Sequence, residues 1–154
     1  MHSLWKTFGI TGPQDAAEYA GLMPRLAGLH HVALPAADVL ATSDWYAQTF
    51  GFVRLLVEEE EDRVVSVVLE HPTGILLYLH EAPGRLDALS EFSVLGLAVD
   101  DREELCGWAA HLTRRNVRHN GPRAAHLGWT LDVIDPNGLH VQLHTRELVS
   151  ADDI

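Results

Sequence analysis

The residues able to do chemistry in this chain are histidines and their polar neighbours, and they fall on an alternating pattern. His140, Gln142 and His144 alternate with Leu139, Val141 and Leu143, while Tyr78 and His80 alternate with Leu77 and Leu79. His31 follows His30 and precedes Val32, Ala33 and Leu34. Near neutral pH an imidazole serves as general base, hydrogen-bond donor or metal ligand. A phenol and a primary amide hold a carbonyl group by hydrogen bonding. His31, Tyr78, His80, His140, Gln142 and His144 are therefore the residues whose types could do chemistry. Residues two apart on a strand are separated by ~6.6 Å, so Gln142 and one neighbour can meet at an ion; His140 and His144, ~13 Å apart, cannot. Elsewhere the chain has no glycine-rich phosphate loop, paired cysteines, HExxH pattern or nucleophile signature. The single cysteine, Cys106, reads as a small buried residue of a helix. His71 and His111 read as surface residues.

The period-2 patterning requires strands to carry these groups. Asp135-Pro136-Asn137-Gly138 is turn chemistry, predicting a hairpin between Trp129–Ile134 and Leu139–Thr145. His71-Pro72-Thr73-Gly74 introduces Gly74–His80 in the same way, and Pro72 and Pro136 lie 64 positions apart. Further pairs repeat at 63: His31 and Val94, Asp38 and Asp101, Trp45 and Trp108. Each half reads as strand, helix and three strands. The first has strands at Leu29–Pro35, Phe52–Val57, Val64–Leu69 and Gly74–His80, with a helix from Asp38 to Phe50 ended by Gly51. The second has strands at Val94–Val99, Val117–His119, Trp129–Ile134 and Leu139–Thr145. Its helix opens at Asp101 and Glu104, a capping-box pair, and buries Leu105, Trp108, Ala109 and Leu112. Glu58–Asp62 reads as a solvated hairpin tip. The repeat divides the chain into an extension (1–27), one domain (28–146) and a tail (147–154). Within the domain lie module one (28–81), a connector (82–91) and module two (92–146).

Composition limits the partners. With 154 residues and 47% hydrophobic content, the chain can build one substantial core. A formal charge of −11 disfavours nucleic acid and anionic membrane surfaces, both of which need basic patches. One cysteine suits a reducing compartment. No run approaches the ~20 apolar residues of a membrane span, and the N-terminal stretch has no secretory apolar core. A cytoplasmic protein acting on a small molecule is the expectation.

The duplicated module, His-His-Val-Ala-Leu, Trp-Tyr…Phe-Gly-Phe and Asp-Pro-Asn-Gly together resemble the vicinal oxygen chelate superfamily. This group includes glyoxalase I, extradiol dioxygenases and bleomycin-resistance binding proteins. The resemblance implies an α+β fold of two tandem βαβββ modules forming a cupped, partly open eight-stranded barrel, and a homodimer. It also implies a central cavity with a metal site at four positions matching His31, Tyr78, Val94 and Gln142, the last usually a glutamate. On that reading His31, Tyr78 and Gln142 are the candidate reactive set, with His31 as base, Val94 and Trp129 the apolar wall, and His80, His140 and His144 the polar lining. Valine cannot ligate and Gln142 is a neutral donor, so no cofactor is expected. The alternative is one divalent ion held by His31, Gln142 and one of His80, His140 or His144. Two functions follow. One is binding of a small organic metabolite or antibiotic-like molecule, with or without metal-independent acid–base chemistry by His31. The other is a metal-dependent lyase, isomerase or dioxygenase using the rebuilt site.

Overall fold

A computed structural model describes residue 21 and residues 23–146 of the chain. The apolar residues Trp5, Phe8 and Ile10 of the extension and the 147–154 tail lie outside the described residues. The chain separates into two compact units, Met1–His30 and His31–Ile154. In the first, residues 24–30 have no regular secondary structure, and Leu26 and Leu29 are exposed.

The second unit carries the repeat. Its elements are β1 (Val32–Ala36), α1 (Val39–Phe50), β2 (Val53–Glu60), β3 (Arg63–Glu70) and β4 (Leu76–Glu81). A 3₁₀ turn (Pro83–Arg85) and a short helix, α2 (Leu86–Leu89), make the connector. Then come β5 (Ser93–Val99), α3 (Arg102–Arg114), β6 (Arg123–Ala125), β7 (Gly128–Ile134) and β8 (His140–Thr145). Two four-stranded mixed sheets result, in the orders β1-β4-β3-β2 and β5-β8-β7-β6. They do not close on each other, which leaves the cupped, open barrel expected of the two modules.

The register preserves the repeat. Ala33 pairs with Tyr78 across parallel β1 and β4, and Gly96 pairs with Gln142 across parallel β5 and β8. The two long helices, α1 and α3, each start where an aspartate meets orphan backbone donors: Asp38 accepts from the Ala41 N–H and Asp101 from the Glu104 N–H. Gly51 ends α1 at φ 83° and donates to the Ala47 carbonyl, a conformation that glycine adopts without a Cβ penalty. One face of each sheet is buried against the helices. Leu34, Leu77, Leu79, Leu97, Val141 and Leu143 form that core with Tyr46, Leu105 and Leu112.

Two expected elements differ. No regular strand occupies Val117–His119; there is one bridge, His119 to Val133, and β6 begins at Arg123. Pro122 has no N–H to donate, and Gly121 at φ 76° bends the chain between them. The acidic hairpin tip is shorter than expected, since β2 and β3 run to Glu60 and from Arg63. Only Glu61 and Asp62, both at positive φ, make the turn, as a two-residue hairpin needs.

The two modules are fastened through side chains. Asn137 accepts from the Ala37 N–H at 3.0 Å and donates to the Thr42 hydroxyl at 3.0 Å, while the Tyr46 hydroxyl donates to Asp135 at 3.0 Å. The Asp-Pro-Asn-Gly turn of module two is thus docked on α1 of module one.

Candidate functional site

Strand pairing sets out two equivalent rows on the sheet faces away from the helices. In module one, Leu56, Val68, Tyr78 and Ala33 stand side by side. In module two the row is Asn120, Asp132, Gln142 and Gly96. Each residue of the second row follows its counterpart by 63 or 64 positions, yet the chemistry has diverged from apolar and aromatic to polar.

Module one offers an aromatic shelf. The His31 ring lies on the Tyr78 ring with centroids 4.0 Å apart and planes 15° from parallel. The His80 ring is 6.4 Å from Tyr78. A cavity of about 360 Å³ opens beside it, lined by Ala33, Pro35, His80, Arg85 and Leu89.

Module two offers a hydrogen-bonded network centred on Asp132, which is 9% exposed. One carboxylate oxygen accepts from the Gln142 amide at 3.1 Å; the other accepts from Arg123 at 2.5 Å and from the Asn120 amide at 3.3 Å. Asn120 also accepts from the Asp132 N–H at 2.9 Å. The loop before β6 is braced by His119, whose Nδ1 accepts from the Gly121 N–H, leaving Nε2 to donate to Thr113 Oγ1. A cavity of about 390 Å³ is bounded by Arg118, Arg123, Asp132, Ile134 and His140. Its lining includes neither His31 nor Tyr78. A further space of about 80 Å³ between Phe50, Phe52, Trp108 and Leu143 is too small for an organic ligand.

Several expected positions move. Trp129 does not share the face of Gln142: Thr130 pairs with His144 and Asp132 with Gln142, so alternation turns Trp129 to the helix side. There the Arg102 guanidinium covers its ring at 3.7 Å from the centroid, a cation–π contact. Val94 sits at the register shift between Ser93 and Leu95 and packs against the core. His140 borders the polar cavity, and the His144 ring bonds the Thr145 carbonyl at 2.7 Å. Cys106 is exposed, not buried, because it lies off the Leu105–Leu112 stripe. His71 and His111 are not simple surface groups. Their Nε2 atoms bond the carbonyls of Phe50 and Thr49 at the end of α1, where helical carbonyls have no partner of their own.

Asp132, Asn120, Arg118 and Arg123 were not among the sequence candidates. The signal for Asp132 was present: it is the one charged residue in the apolar run Trp129–Ile134, and folding the chain about 135–138 sets it opposite Gln142.

The metal implied by the resemblance does not fit these residues. The four positions supply one imidazole, a phenol, a hydrocarbon and an amide whose NH₂ is engaged by Asp132. Among the described residues, no three His, Cys, Asp or Glu side chains cluster closely enough to hold an ion. Divalent ions need anionic or several imidazole donors to offset the loss of their water.

Solved structures share the fold. A glyoxylase/bleomycin resistance protein/dioxygenase domain from Frankia sp. EAN1pec is 20% identical with TM-score 0.63, covering 79% of this chain and 98% of that one. The fosfomycin resistance protein FosX from Listeria monocytogenes is 14% identical with TM-score 0.63, over 84% and 98%. TnmS3, an antibiotic binding protein from Streptomyces sp. CB03234, is 20% identical with TM-score 0.60, over 80% and 100%. No curated protein matches the chain. The sequence model of the Glyoxalase/Bleomycin resistance protein/Dioxygenase superfamily matches residues 28–143, three quarters of the length, and the chain belongs to that superfamily.

Proposed function

We propose that the domain of residues 28–146 binds a small organic molecule on the sheet faces that point away from its helices. The carrying observation is the divergence of the two rows, with a stacked His31–Tyr78 shelf for a flat apolar group and an Asp132–Gln142–Arg123 network for a polar one. TnmS3, a structure of the same fold, is described as an antibiotic binding protein, which supports binding of this class. Acid–base chemistry on the bound molecule would fall to His31, the imidazole stacked on Tyr78. A cytoplasmic setting agrees with the exposed Cys106 thiol. No helix of the described residues is long and apolar enough to cross a membrane.

The test uses 2-naphthol as a neutral planar probe and backbone amide NMR of the full chain. Saturable shifts at Ala33, Val68 and Leu79 are expected, with Tyr78→Ala weakening binding about three- to tenfold, the worth of one aromatic stacking partner. Shifts scattered over the surface and indifferent to Tyr78→Ala would overturn the shelf. In parallel, Zn²⁺, Ni²⁺ and Mn²⁺ are titrated by calorimetry. Sub-micromolar binding abolished by His31→Ala would replace this reading with metal catalysis.

The same reading includes a homodimer. Strand β2 is a sheet edge on which Val53 is 58%, Leu55 55% and Leu56 52% exposed, and apolar edges invite pairing with another chain. Light scattering at micromolar concentration is expected to give twice the chain mass, and Leu55→Lys with Leu56→Lys to give the single-chain mass. A wild-type monomer would remove this part of the proposal.

A further inference from the structure

Module two has a feature that module one lacks: a cluster of cations on a strongly acidic chain. Arg114, Arg115, Arg118 and Arg123 fall within ten residues, against a formal charge of −11 for the whole protein. Arg115 is engaged by Gln48 on α1, and Arg123 is tethered by Asp132. Arg118 has neither an ion pair nor a side-chain hydrogen bond among the described residues, and it borders the 390 Å³ cavity together with Arg123, Asn120 and His140. We propose that this cavity binds the oxyanion of a small molecule, a carboxylate or a phosphate, with Arg118 as its principal cation. The inference rests on the small-molecule reading above and names the chemistry of the polar end.

The geometry argues for a prepared site. The backbone on either side of Arg118 is fixed, because its carbonyl accepts from the Ile134 N–H and the Asn120 N–H donates to the Asp132 carbonyl. Antiparallel pairing then sets Arg118, Ile134 and His140 on one row and Asn120, Asp132 and Gln142 on the next. A guanidinium carries five N–H donors, so one bond from Arg123 to Asp132 leaves its other donors available. Asp132 holds the charge balance near the opening to a single surplus cation, which suits one anionic group. A planar, forked donor matches the two oxygens of a carboxylate or phosphate better than a point charge does. His119 takes no part, since both ring nitrogens are already bonded within its loop.

The test follows amide shifts of the full chain on addition of inorganic phosphate or acetate, with sodium chloride at matched ionic strength as reference. Saturable shifts at Arg118–Arg123 and Asp132 in the millimolar range are expected from at least one of the two. Saturation by phosphate alone assigns a phosphate ester, and saturation by acetate assigns a carboxylate. Arg118→Gln should weaken binding at least fivefold and Arg118→Lys should recover part of it. Arg63→Gln, at an exposed arginine of the other sheet, should leave it unchanged. Equal shifts with chloride, or equal affinity in Arg118→Gln, would overturn the proposal. If 2-naphthol still binds the Tyr78 shelf while neither anion binds, this inference alone fails; if nothing binds, both readings fail.

Discussion

Asp135→Ala is expected to lower folding stability by about 3–5 kcal/mol, as read from urea unfolding, because it strands several buried donors at once. Asp135 is 5% exposed and Tyr46 fully buried. One carboxylate oxygen accepts from the Asn137 and Leu139 N–H groups at 2.8 and 3.0 Å, the other from the Tyr46 hydroxyl at 3.0 Å. Alanine leaves three donors without partners, and the turn that docks module two on α1 loses its anchor. Asp135→Asn keeps the two acceptor contacts to the backbone and its amide can donate to the phenol oxygen, so only the Tyr46 O–H loses its acceptor and the cost should be smaller, about 1–3 kcal/mol.

The pair also gives a pH signature. Burial holds the Asp135 carboxyl above its ordinary range against the pull of its hydrogen bonds, and burial, then the Asp135 charge, raise Tyr46 well above its own. A raised carboxyl binds its proton more tightly in the folded state than in the unfolded one. Its contribution is therefore fully present below the unfolded value of ~3.9 and is lost as pH rises through the folded value. The stability difference between the parent and Asp135→Asn should shift toward the parent on acidification. A difference independent of pH would refute the desolvated carboxyl.

Asp132→Val, which gives module two the residue that module one has at Val68, is expected to separate binding from folding. Arg123 is 59% exposed, so water replaces its lost partner, and a valine fits the adjoining apolar strand; stability should change by no more than about 1 kcal/mol. Binding of phosphate or acetate at the Arg118 cavity should nonetheless tighten several-fold, since the site gains a net positive charge and Arg123 is released from its carboxylate partner to the anion. Unfolding titrations give the first quantity and NMR titration with the phosphate or acetate probe the second. Unchanged affinity would mean that Asp132 serves the sheet alone.

The repeat, the strand and helix order and the two helix starts were legible in the sequence because each rests on local physics. Alternation at Leu139–His144 marks a strand through its two-residue period, and Asp38 and Asp101 cap helices through contacts three residues away. The choice of face was legible only where a regular strand ran through it. Trp129 begins β7, and its side was decided by the pairing of Thr130 with His144, a register between segments that composition does not report. Asp135 and Asn137 read as turn residues, which they are. Their bonds to Tyr46, Ala37 and Thr42 span 89 to 100 positions of sequence and exist only once the modules pack. The polar site has the same origin. Arg118, Asn120, Arg123 and Asp132 come from a loop and two strands whose side chains converge only through antiparallel pairing, whereas matching Val94 and Gln142 to the positions where the family resemblance implies a metal needed the sequence alone.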